Sequence, residues 1–80
     1  MAVTVRYFAG ARAAAGTAEE TVKAADIAEL KSVLAAKHGP GLDKVLSIST
    51  ILVDGRAARE GTTALADGTT VEVLPPFAGG

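Results

Sequence analysis

Few residues of this chain can do chemistry, and their types decide what chemistry is open. There is no cysteine, which removes disulfides, iron–sulfur clusters, thiolate zinc sites and cysteine nucleophiles together. The single histidine, His38, stands just before Gly39-Pro40, a helix stop, where an imidazole ordinarily faces the terminal carbonyls. The nine carboxylates are scattered, and no hydroxyl has a base at a spacing that would activate it. No metal site is expected. The glycines form neither of the common phosphate-cradling patterns, and Asp54-Gly55 and Asp67-Gly68 read as tight turns.

What remains is the carboxyl terminus, Pro75-Pro76-Phe77-Ala78-Gly79-Gly80. A proline pair stiffens the exit, one aromatic offers an anchor, and the last two residues carry no side chain. Glycine allows backbone angles and close approaches that any Cβ would block, so such an end can enter a narrow slot in another protein. The reactive group would then be the terminal carboxylate of Gly80. A carboxylate at neutral pH is a poor electrophile, and nothing in the chain activates it, so the chemistry calls for a nucleotide-using partner and an acyl-adenylate. On the tail alone, a terminus without a role is an equally good reading.

The elements that must position this end follow from composition and periodicity. Eighty residues, 49% hydrophobic and 21% charged with 4% aromatic, make one small domain with a core of Val, Ile, Leu and Ala. A formal net charge of -1 leaves no field to recruit nucleic acid or acidic lipid. With neither a leader nor a membrane-length apolar run, a cytoplasmic protein is expected.

Residues 2–8 alternate, with Val3, Val5 and Tyr7 on one face of a strand and Thr4, Arg6 and Phe8 on the other. Residues 9–16 read as a connecting loop with room for a helical turn, and residues 18–24 as the hairpin partner of the first strand. Asp26 and Glu29 form a capping box, and Ile27, Leu30, Val33 and Leu34 share a helix face running to about residue 38. Residues 41–47 form a connection with room for one more helical turn that plugs Leu42, Val45 and Leu46 into the core. A buried strand is predicted over 48–53, a short polar strand over 56–59, and a last strand over 69–74 ended by Pro75-Pro76. One helix across the inner face of one sheet is the economical packing, an α+β roll.

The opening, Val3-Thr4-Val5-Arg6-Tyr7-Phe8-Ala9-Gly10-Ala11-Arg12-Ala13-Ala14-Ala15-Gly16, resembles the MoaD branch of the MoaD/ThiS sulfur-carrier family, the small subunits of molybdopterin synthase. The end, Leu65-Ala66-Asp67-Gly68 followed by Val71 through Pro75-Pro76 to Gly79-Gly80, is similar to the same family. The resemblance spans nearly the whole chain. It implies a ubiquitin-like β-grasp fold with a mixed sheet of four to five strands, residues 1–76 forming the domain and 77–80 a flexible tail.

It also implies a carrier that is no enzyme on its own and binds no cofactor. The Gly80 carboxylate would be adenylated by an E1-like activating enzyme using ATP, then converted to a thiocarboxylate with sulfur from a donor system. The large catalytic subunit of molybdopterin synthase would accept the sulfur. Gly79, Ala78 and Phe77 would enter the partner's slot. Phe8 and Leu74 lie on the sheet face away from the core, and with Pro75, Pro76 and Arg12 they are the expected partner-binding residues. The opening with Arg12 and the Pro-Pro-x-x-Gly-Gly ending favour the molybdopterin branch. Other acceptors (thiamine thiazole, cysteine or a specialised metabolite), a lysine-modifying role and a plain interaction module stay open.

Overall fold

A computed structural model of the chain describes residues 2–76. The order is β1 (Ala2–Tyr7), α1 (Gly10–Ala15), β2 (Glu19–Lys23), α2 (Ile27–His38), α3 (Pro40–Ile48), β3 (Thr50–Val53), β4 (Arg56–Ala57) and β5 (Thr70–Leu74). The sheet runs β2-β1-β5-β3-β4. The central pair β1 and β5 is parallel, with Val5 beside Val71 and Tyr7 beside Val73; the other pairs are antiparallel. This is the expected mixed sheet of an α+β roll.

Strand parity builds the core. Val3, Val5, Tyr7, Ile51, Val71 and Val73 are buried beneath Ile27, Leu30 and Leu34 of α2 and Leu42 and Leu46 of α3. Val53, on the same face of β3 as Ile51, is only partly buried. α2 begins as the spacing predicts: Asp26 Oδ1 accepts the Glu29 amide at 2.8 Å. The return bond differs from expectation, since Glu29 Oε1 accepts from the amide of Ala25, one residue before the cap, at 2.7 Å. Two further first-turn donors of α2 that a helix cannot satisfy internally are met from across the chain. The Ile27 amide donates to the Thr63 carbonyl and the Ala28 amide to that of Gly61. The irregular stretch before β5 is thereby tied to the helix, and Leu65 fills the core beneath it.

Four expectations are corrected. Residues 10–15 are helical rather than loop: only Ala11 of that segment is buried, so it has no apolar stripe for periodicity to detect. The connection after α2 is a nine-residue helix, because Pro40 occupies its first turn, where a missing N–H costs nothing. That second main helix carries Ile48 in its last turn, so Ile48 is 63% exposed and the buried strand begins only at Thr50. The short polar strand shrinks to Arg56–Ala57. Among the described residues, no helix is long and apolar enough to cross a membrane.

Candidate functional site

The strands that meet at the exit of the chain gather four of the predicted partner-binding residues. β1 and β5 are parallel neighbours, and the Phe8 amide donates to the Val73 carbonyl at 3.3 Å, which sets Phe8 beside Leu74. β3 approaches from the other side with Thr50 opposite Leu74. Phe8, Leu74, Pro75 and Pro76, joined by Ala9, Ile48 and Thr50, line one groove of about 320 Å³. Phe8 and Leu74 are half-buried and Pro76 is exposed, so the groove opens to solvent. Sequence reading missed Ile48 as part of this wall because it placed that residue in a strand. The signal was the Pro40 start of a helix with Leu42 and Leu46 at its core spacing.

Arg12 lies apart from this groove. It lines an adjoining hollow of about 290 Å³ with Arg6, Tyr7, Phe8, Ala18 and Glu19. Phe8 is the shared wall, and the Arg6 guanidinium sits 5.6 Å from the centre of its ring, within cation–π range. Glu19 offsets Arg6 only loosely, at 3.8 Å between exposed groups. The apolar groove is thus bordered on one side by two guanidinium groups. Phe77, Ala78, Gly79 and Gly80, the expected tail and reactive end, lie outside the described residues.

A polar cluster that the sequence reading did not find sits on the core side of the β2 edge. Glu20 faces Val5 across the β1–β2 ladder, and its side chain is 11% exposed. Its carboxylate accepts from the Tyr7 hydroxyl at 2.6 Å, pairs with Lys37 at 2.6 Å and meets Nε2 of His38. Burial works to raise the Glu20 carboxyl, but the hydrogen bonds from Lys37, Tyr7 and His38 outweigh it and hold the group at about 2. Burial first, then the Glu20 hydrogen bond and charge, push the Tyr7 hydroxyl far above its ordinary value. His38 therefore anchors the end of α2 to the sheet edge instead of facing the helix carbonyls. Strand parity carried the signal, since Glu20 shares a face with Val22. Among the described residues, no group of three or more His, Cys, Asp or Glu side chains is placed to hold a metal ion.

Residues 5–80 match the model of the ThiS family. The chain is 36% identical to the molybdopterin synthase sulfur carrier subunit of Chlamydomonas reinhardtii over 84 aligned residues, covering all of both chains. In the complex of subunits 1 and 2 of the molybdopterin-converting factor from Helicobacter pylori, one chain is 31% identical with a TM-score of 0.77 and full coverage of both. Small archaeal modifier protein 1 from Methanosarcina acetivorans is 30% identical with a TM-score of 0.85, covering 99% of this chain and 96% of that one.

Proposed function

Because the chain belongs to the ThiS family, we propose that it is a sulfur carrier and serves as the small subunit of a molybdopterin synthase. The observation that carries this reading is the full-length likeness to a carrier subunit of that enzyme in a chain that itself ends in Gly79-Gly80. The body of the protein supplies docking and the tail supplies the reactive atom. In the activating enzyme, the Gly80 carboxylate attacks the α-phosphorus of ATP and expels pyrophosphate. A sulfur nucleophile then displaces AMP from the acyl-adenylate, leaving a thiocarboxylate. The thiocarboxylate sulfur attacks the substrate held in the large subunit, and water then cleaves the acyl–sulfur bond, leaving the sulfur on the substrate and returning this chain as the free acid.

The groove of Phe8, Ile48, Leu74, Pro75 and Pro76 suits the docking role, since an apolar centre with a charged border is how a transient partner is held. Arg6 and Arg12 beside it fit an acidic rim on that partner. The carrier chemistry is tested by intact mass after incubation with a cognate activating enzyme, ATP and a sulfur source. A gain equal to sulfur replacing oxygen, mapped to Gly80, is expected. Adding one residue after Gly80 abolishes that gain without unfolding the domain; an extended variant that is loaded normally would rule out the carrier reading.

A second reading rests on the likeness to small archaeal modifier protein 1: Gly80 joined to lysines of other proteins by an isopeptide bond. It predicts higher-mass adducts in cell extracts, whereas free chain and thiocarboxylate alone count against it.

A further inference from the structure

From the hollow between α2 and the edge formed by β3 and β4 we infer that the protein binds a small phosphate-class anion, free phosphate or a phosphomonoester, between Lys31 and Arg59.

Backbone pairing brings the two cations together. The Ala58 amide donates to the Ile51 carbonyl at 2.8 Å, so the chain stays against β3 one residue beyond β4. Two residues past Arg59, the Gly61 carbonyl accepts from the Ala28 amide at 2.9 Å, which draws this stretch over the first turn of α2. Arg59 is thereby held between the sheet edge and α2. Lys31 stands three residues along from Ala28, on the same side of the helix. Both side chains line one hollow of about 260 Å³, together with Thr50, Ile51, Ala57 and Ala58.

This hollow lacks a counter-charge. Arg6 has Glu19 and Lys37 has Glu20, but among the described residues no carboxylate pairs with Lys31 or Arg59. Glu29, two residues before Lys31, is engaged by the Ala25 amide, and Glu60, next to Arg59, does not line the hollow. The hollow of Arg6 and Arg12 differs in this respect, since Glu19 lies within it. Lys31 is also partly buried, so its charge is less screened than that of an exposed lysine. Two like charges on one hollow repel each other, and an anion between them turns that repulsion into attraction.

The donor set selects the class of anion. A guanidinium presents paired N–H donors that match two phosphate oxygens, and an ammonium adds a point charge. Thr50 contributes a hydroxyl. A phosphomonoester carries about −1.5 to −2 charge at pH 7, which two cations offset, whereas a single carboxylate would offset one. Size points the same way, because about 260 Å³ falls below the roughly 300–1,000 Å³ of sites for drug-sized ligands. Ile51, Ala57 and Ala58 offer apolar contact to the carbon atoms of an ester. Thr50 also lines the groove of Phe8 and Leu74, so the anion site adjoins the docking face without using its apolar residues.

The test uses the isotope-labelled full chain and neither an activating enzyme nor a sulfur source, so its outcome is independent of the carrier reading. Inorganic phosphate and methyl phosphate are titrated separately at constant ionic strength, with acetate as the monovalent control. Saturable amide shifts are expected at Thr50, Ala57, Ala58 and Arg59, with an apparent Kd of about 1 mM or tighter. Acetate should bind about tenfold more weakly or worse. Arg59→Ala and Lys31→Gln should each weaken phosphate binding about tenfold while the resonances of the core, such as Val71, stay in place. Lys44→Gln, at an exposed lysine outside the hollow, should leave binding unchanged. Tighter binding of methyl phosphate supports an organic phosphate as the occupant, and equal or tighter binding of inorganic phosphate supports the free ion. Shifts that do not saturate, that acetate reproduces at the same concentrations, or that persist unchanged in both hollow variants would overturn the inference.

Discussion

At the scale of single residues, Glu20 is the side chain on which most polar contacts converge. Its carboxyl is held at about 2 against an ordinary value of 4.5, so the folded state binds its proton less readily than the unfolded chain does. The stabilisation is fully present above the unfolded value and disappears as pH falls from about 4.5 to about 2. Urea unfolding of the protein and of Glu20→Gln across that range checks this: the parent should be the more stable at neutral pH, and the gap should close toward pH ~2. A gap that does not change with pH would remove Glu20 from the linkage. The cluster was half legible in the sequence. Parity put Glu20 on the core side with Val22, but its partners come from β1 and the end of α2, at distances in the sequence that no local pattern encodes. The turn between β3 and β4 is a milder case of the same kind. Asp54 adopts a positive φ of 48° and is followed by Gly55 at 85°, as its sequence suggests. Its carboxylate additionally accepts from Thr69 and from the Thr70 amide, and these bonds hold its carboxyl below the ordinary range.

At the scale of elements, β1, β5 and α2 were legible because each carries a two- or 3.6-residue apolar repeat and its own punctuation. α3 was not, because Gly39-Pro40 reads as an end while proline is equally suited to begin a helix. α1 was hidden by small side chains, which give no apolar stripe, although alanine favours the helix and the element packs against α3. α3 is nonetheless a full partner in the core, with Leu42 0% and Leu46 2% exposed. Leu46→Ala should cost about 2–5 kcal/mol in thermal or chemical unfolding. A cost below ~1 kcal/mol would mean that α3 contributes little to the core. For α2, Asp26→Ala should cost about 1 kcal/mol through loss of the bond to the Glu29 amide, and hydrogen exchange should show the loss first in the first turn, near Leu30. Part of that turn stays tied by the carbonyls of Gly61 and Thr63, which limits the fraying.

At the scale of the whole molecule, the carrier reading proposed above assigns docking to the body and reaction to Gly80, so the two tasks should be alterable independently. Ile48→Asp places a charge at the groove without touching the core, so stability should change by no more than about 0.5 kcal/mol. Affinity for the large subunit should fall about tenfold or more by calorimetry, as expected when a groove centre is spoiled. Unchanged affinity would move the docking surface elsewhere. The candidate site was legible in its strand residues, Phe8 and Leu74, and in the proline pair. Ile48 was not, since its contribution depends on where α3 ends. The parallel pairing of β1 with β5 has one more consequence, for handling the protein at the bench. Ala2 begins β1 at the edge of the sheet remote from Leu74, roughly 20 Å away for a six-residue strand. A tag or fluorophore attached ahead of Ala2 therefore rides at the end of the sheet remote from the groove of Phe8, Leu74 and Pro75, and such a fusion should bind a partner of that groove with unchanged affinity.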